Sequence, residues 1–248
     1  MYIDTHFHLE NDQKKIIDEA KSVNVKKFII SCCDKESITN ASKLLLLDEN
    51  IYLSIGFHPS EADNINLEDL KLIKETTNKT KKVVAIGEIG LDYHYGKENK
   101  DKQINLFKKQ LNLAKELNLP VVIHSRDATK DTLDVLKNYS FNNGVIHCFS
   151  GSLETAKEYI NLGFLIGIGG VITFSNSNLY QVVEKIPLEK IVLETDSPYL
   201  APVPFRGTEN SPKYIPLIAS KIAEIKKITE EEVAKITTDN AIRLFDLK

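Results

Sequence analysis

Arginine is scarce in this chain of 248 residues: Arg126, Arg206 and Arg243 are the only three among 32 basic side chains. The net charge of −3 and a pI of about 6.1 exclude a global field that attracts polyanions, so any pull on nucleic acid has to be local. Cysteine is rare as well. Cys32, Cys33 and Cys148 are odd in number and irregular in spacing, which argues against a disulfide framework and for reduced thiols. Long apolar runs are missing. The longest, Phe164 to Phe174, has 11 residues and three glycines, too short to span a bilayer. With no secretory leader before Asp4, the expectation is a soluble, cytoplasmic protein with no membrane and no obligate protein partner. No Gly-x-Gly-x-x-Gly turn follows the first strand-like run, which counts against a doubly wound dinucleotide fold.

What the chain has instead is a series of short β-branched or apolar segments, at 2–8, 25–32, 51–57, 82–88, 120–125, 144–149, 163–169 and 190–196. Continuous Val/Ile/Leu runs, rather than strict alternation, suit strands covered on both faces in a parallel sheet. Amphipathic segments fill the gaps at 12–22, 35–48, 61–78, 101–118, 128–138, 152–162, 176–186 and 212–227. Another, 229–245, opens on Thr229 and Glu232 at capping-box spacing. Eight such units without an internal linker or tandem repeat predict a single α/β domain over 1–248. Its architecture is a (β/α)8 TIM barrel with the active site at the carboxyl ends of the strands. The proline-rich stretch 198–216 is a long loop after the eighth strand, and loops of that length usually carry function or are disordered.

All six histidines stand at or just past the carboxyl end of a predicted strand. In the first, period two directs His6 and His8 to one face and Phe7 to the other. Glu88 ends the fourth strand, His124 the fifth, His147 the sixth and Asp196 the eighth. Their neighbours Phe7, Gly87, Ile123, Cys148 and Thr195 are expected to face outward, while Ile86, Val122 and Val145 share the inward parity. Six convergent ionisable groups are too many to be buried unpaired. Four imidazoles and two carboxylates suit two divalent cations such as zinc, manganese, cobalt or iron(II). The natural partition gives His6 and His8 to one ion and His124 and His147 to the other, with Glu88 bridging and Asp196 completing the first. Two ions so held can activate water and stabilise both oxygens of a phosphoester displacement.

Asp4-Thr5-His6-Phe7-His8, Gly87-Glu88-Ile89-Gly90-Leu91-Asp92-Tyr93 and Ile123-His124-Ser125-Arg126-Asp127-Ala128 resemble motifs of the TatD family of metal-dependent DNases. So do His147-Cys148-Phe149-Ser150-Gly151, Glu194-Thr195-Asp196-Ser197-Pro198, the Arg206-Gly207 pair, and the tail Asn240-Ala241-Ile242-Arg243-Leu244-Phe245. The resemblance runs through the whole chain. It implies an amidohydrolase-like barrel that hydrolyses DNA phosphodiesters, acting on single strands or 3′ ends, often as a 3′-to-5′ exonuclease. It further implies Mg²⁺ or Mn²⁺ in activity, with Zn²⁺ also accepted by the site. The metal ligands it implies are His6, His8, Glu88, His124, His147 and Asp196, with Glu88 and Asp196 catalytic. One departure stands out: Thr208 and Glu209 follow Arg206-Gly207, where family members often carry further basic residues.

Around this set, His58, Tyr93, His94, Arg126 and Arg206 are candidate substrate contacts. The arginines offer a bidentate grip on phosphate, and Tyr93 a face for a base. Four of them have a plainer reading: a loop hydrogen bond for His58, a solvated loop position for His94, packing for Tyr93, and for Arg126 a salt bridge to Asp127 or Glu88. Asp4 and Glu194 are expected beneath the ligands, holding them in place. Two rivals to a nuclease remain at this point. One is an amidohydrolase or lactonase on the same barrel, although that group often bridges its metals with a carboxylated lysine where this chain has Glu88. The other is a metal-carrying scaffold with a saturated site.

Overall fold

In the computed structural model of the chain, which describes residues 1–8, 13–66 and 68–248, eight parallel strands form one sheet. They are β1 (Tyr2–Phe7), β2 (Val25–Cys32), β3 (Ile51–Ile55), β4 (Val83–Asp92), β5 (Val121–Arg126), β6 (Gly144–Ile146), β7 (Leu165–Ile168) and β8 (Ile191–Leu193). Each pairs with the next in chain order. The backbone amides of Asp196 and His8 donate to the carbonyls of His6 and Ser197 at 2.9 and 2.8 Å, which ties β1 to the segment after β8. This is the expected (β/α)8 barrel.

The helices are α1 (Gln13–Ser22), α2 (Lys35–Leu44), α3 (Asp69–Lys79), α4 (Lys100–Leu117), α5 (Thr129–Tyr139), α6 (Leu153–Asn161), α7 (Leu179–Lys185), α8 (Ile215–Lys226) and α9 (Glu230–Phe245). Among the described residues, no helix is long and apolar enough to cross a membrane. Apolar burial divides into two layers. Phe7, Phe28, Ile123 and Ile166 pack outward against the helices, while Ile3, Ile29, Tyr52, Val122, Val145 and Val192 fill the barrel interior. Ala241 and Phe245 of α9 join that inner cluster. Thr238 Oγ1 and Asn240 Nδ2 of the same helix donate to the carbonyls of Met1 and Ile191, so α9 covers the amino ends of β1 and β8. Its capping box on Thr229 and Glu232 is formed as predicted. With that end covered, the polar residues collect at the other.

Several predicted boundaries move. The sixth and eighth strands are shorter than 144–149 and 190–196, so His147 and Asp196 sit on the turns beyond β6 and β8. β4, in contrast, runs four residues past Glu88, to Asp92. The predicted helix 61–78 resolves into a short 3₁₀ turn, Pro59–Asp63, followed by α3, because His58 and Pro59 start the turn early. Position 12, the expected start of the first helix, and position 67 inside that third one lie outside the described residues. Parity also fails in places. Ile86 packs in the outer layer, because the β4–β5 register shifts between Ile86 and Ile89, resetting the alternation before Glu88. Cys148 and Thr195, expected outward, lie past the strand ends, where alternation no longer applies; the Thr195 hydroxyl turns to Asp4.

Candidate metal centre

Glu88 stands at the middle of the carboxyl-end cluster, 3% exposed. Its two oxygens serve different neighbours. Oε2 lies 3.4 Å from His6 Nε2 and 3.7 Å from His8 Nε2. Oε1 lies 2.7 Å from His124 Nδ1 and 2.8 Å from His147 Nε2. Asp196 Oδ1 completes the first group, 3.7 Å from His6 Nε2 and 3.6 Å from His8 Nε2. A tetrahedral shell with bonds of about 2.0–2.1 Å places neighbouring donors about 3.4 Å apart, so these separations fit a cation among them. In the second group the donors stand closer, at hydrogen-bonding separation, with 3.4 Å between His124 Nδ1 and His147 Nε2.

Two further observations fit metal. Both ring nitrogens of His6 are buried with no hydrogen-bond partner; a cation at Nε2 would satisfy one of them. The groups His6-His8-Glu88 and Glu88-His124-His147 each bring their ligand atoms within 4.8 Å of one another. The electrostatics follow the same lines. Burial opposes ionisation of Glu88, but His147, His124 and His6 outweigh it and hold the carboxyl well below its ordinary range. Burial likewise opposes the charge on His147, while Glu88 and Glu194 raise its pKa well above that of a free imidazole. His6 goes the other way: burial, with His147 and His8 nearby, lowers its pKa and keeps a ring lone pair available.

Asp4 and Glu194 both lie against the cluster. Asp4 Oδ1 accepts the backbone amides of Thr195 at 3.0 Å and His6 at 3.3 Å, spanning the seam between β1 and the β8 turn. Glu194 accepts the Cys148 amide, and its Oε1 is 3.7 Å from His147 Nδ1. Asp92, in the sequence one position of the Gly87–Tyr93 motif, has a part here. Its Oδ2 is 3.0 Å from His124 Nε2 and its Oδ1 accepts the His94 amide at 2.9 Å. Parity carried one signal for it: Asp92 is four residues from Glu88 on the same strand, hence on the same face. Cys148 also comes close. Burial first, then Asp196 and Glu194, push its thiol well above the usual range.

The profile of the TatD related DNase family matches residues 3–246 of this chain. The chain belongs to the TatD-related DNase family. It is 44% identical over 253 residues to the uncharacterized metal-dependent hydrolase YabD of Bacillus subtilis (strain 168), covering 99% of both chains. It is 36% identical over 257 residues to the uncharacterized metal-dependent hydrolase YcfH of Escherichia coli (strain K12), covering 99% of this chain and 96% of the other. The crystal structure of YJJV, a TatD homolog from Escherichia coli K12, superposes with a TM-score of 0.95 at 31% identity, over 100% of this chain and 98% of that one. Metal-dependent hydrolysis is the chemistry that this membership and the donor set together support.

At the rim of this TatD-family barrel the predicted substrate contacts divide. Tyr93 is 6% exposed and its hydroxyl donates to Asp131 at 2.9 Å, so it packs rather than offering a face to a base. The exposed aromatic of that loop is Tyr95, 88% exposed, with the Arg126 guanidinium 5.6 Å from its ring centroid. Arg126 therefore lies over Tyr95, and Asp127, one of its two alternative salt-bridge partners, has its Oδ2 3.1 Å from His94 Nδ1. The exposed Arg206 rests on the Phe174 ring, 3.7 Å from its centroid. His58 faces the cluster, with Nε2 3.7 Å from Glu88 Oε1; burial lowers its pKa to about 4.

Proposed function

We propose that this TatD-family member is a two-metal deoxyribonuclease, one hydrolase domain over its whole length, that shortens single-stranded or 3′-ended DNA in the 3′-to-5′ direction. The reading rests above all on Glu88, whose two oxygens face two separate histidine pairs as a bridging carboxylate requires. His6, His8, Glu88 and Asp196 would hold one divalent cation and Glu88, His124 and His147 the second. Mg²⁺ or Mn²⁺ would serve turnover, with Zn²⁺ also accepted by the donors. Bound cations supply Lewis acidity, lowering the pKa of water and neutralising charge on the departing oxygen.

The chain's own residues do the rest. Asp196 is more open than Glu88, 14% against 5% in side-chain exposure, which suits it to take the proton from the attacking water. Asp92 and Glu194 orient His124 and His147 from behind. The exposed guanidinium groups of Arg126 and Arg206, resting on Tyr95 and Phe174, would grip substrate phosphates. In a chain of net charge −3 these two supply the local positive field, and Tyr95 offers the ring on which a base can stack.

The test is metal-depleted protein assayed on strands labelled at the 3′ or the 5′ end, with Mg²⁺, Mn²⁺ and Zn²⁺ restored separately. Stepwise loss from the 3′ end is expected only with metal present. Uncut strands with every metal, beside turnover of an amide or lactone panel, would refute the reading. Asp196→Asn should keep the native circular dichroism and lose at least ~100-fold in turnover.

A further inference from the structure

His58 carries a feature that its place at the rim does not require. The Ser60 backbone N–H donates to His58 Nδ1 at 3.1 Å, and Ser60 Oγ lies 2.8 Å from the same nitrogen. An amide hydrogen aimed at a ring nitrogen needs a lone pair there. Nδ1 is therefore unprotonated, and the ring carries its hydrogen on Nε2. That nitrogen points into the site. Its distance of 3.7 Å to Glu88 Oε1 is too long for a hydrogen bond, so Glu88 does not engage it. The ring is held edge-on to His124, with 4.6 Å between centroids, which fixes its direction as well.

His58, Asp92 and His124 have donor atoms within 4.8 Å of one another, the spacing of a cation site. The hydrogen positions work against one. A cation at Nε2 of His58 would need the lone pair that Ser60 has drawn to Nδ1. The other nitrogen such a site would use, His124 Nε2, stands 3.0 Å from Asp92 Oδ2, as a donor to that carboxylate.

We infer that the Ser60 backbone amide fixes His58 as a neutral Nε2–H donor that reads an anionic oxygen of the substrate, and that the His58-Asp92-His124 group holds no third cation. On the nuclease reading proposed above, that oxygen is a non-bridging phosphoryl oxygen beside the second metal position. Ser60 is a positioning residue and acts through its backbone, not its hydroxyl.

The experiment uses the full chain, labelled with ¹⁵N at histidine and loaded with Zn²⁺. Nitrogen shifts and ring couplings of His58 should report a lone pair on Nδ1 and a hydrogen on Nε2, with two Zn²⁺ bound per chain. Dimethyl phosphate, which has no scissile nucleotide, should move the Nε2 resonance and its proton downfield. Ser60→Ala removes the hydroxyl but keeps the amide, so it should leave the tautomer unchanged. A hydrogen on Nδ1, a third Zn²⁺ that moves His58 Nε2, or an Nε2 resonance unmoved by saturating dimethyl phosphate would each overturn the inference. A tautomer switch in Ser60→Ala would do the same. Protein that shows the expected tautomer and phosphate response yet leaves DNA uncut keeps the inference and refutes the nuclease, so the two failures are separable.

Discussion

At Glu88 two requirements meet in one side chain: a carboxylate buried to 3% exposure, and five imidazole nitrogens within 3.7 Å of its oxygens. Neither is stable without the other, since a buried carboxylate is costly unless paired. The same reasoning extends to Asp92. Its Oδ2 meets the nitrogen of His124 that faces away from Glu88, which fixes both the ring and its tautomer. Asp92→Asn should therefore weaken metal binding about 10–100-fold while the fold persists. A chelator-competition titration measures this, and unchanged affinity would show that Asp92 is not needed there. The four histidine candidates, Glu88 and Asp196 were legible from motif and parity. Asp92 was harder to see, because its partner comes from the neighbouring strand, and one sequence does not state the β4–β5 register. Tyr93 and Tyr95 differ for the same reason: only the packing of Asp131 against the loop decides which ring is buried.

At the scale of elements, turns beyond strand ends carry much of the site. β6 and β8 stop at Ile146 and Leu193, and the next residues leave the pleat. His147, Glu194 and Asp196 gain their directions from these turns, which is why strict alternation misplaced Cys148 and Thr195. β7 contributes by what it lacks. A Cβ on Gly167 would lie 2.3 Å from Glu194 Oε2, so only glycine leaves room for the carboxylate behind His147. Gly167→Ala should cost about 1–3 kcal/mol, as overpacking of a tight interior does. It should also displace Glu194. Urea unfolding measures the first effect and Zn²⁺ titration the second; a variant with unchanged stability and affinity would show that Glu194 relaxes freely. The sequence signalled a glycine-rich seventh strand but not the partner that needs the space.

For the whole molecule, the covered amino end and the seam at β1 and β8 leave one polar face. Charge there makes stability depend on pH. The Glu88 pKa is depressed in the folded state, so its contribution is present above the ordinary carboxylate value and is lost as pH falls through the folded one. The His147 pKa is raised, so its contribution is full below the ordinary imidazole value and is lost as pH rises through the folded one. In metal-free protein, the stability gap between wild type and Glu88→Gln should be widest between these limits. It should narrow below about pH 4.3, where a free glutamate takes up its proton, and again on the alkaline side. Urea midpoints from pH 3 to 9 test this, and a gap independent of pH would contradict the pairing.

The eight βα units, the covered parallel sheet and the six metal-ligand candidates can be read from the chain before it folds. These follow from local periodicity and from residue types whose burial needs a partner. Folding is what puts each oxygen of Glu88 beside its own histidine pair, Asp92 behind His124, and Tyr95 rather than Tyr93 in solvent. Those outcomes depend on register, on turns past the strand ends and on side chains brought together from distant segments. Closing the barrel completes the first of these, because it brings β1 beside the β8 turn and puts His6, His8 and Asp196 on one seam.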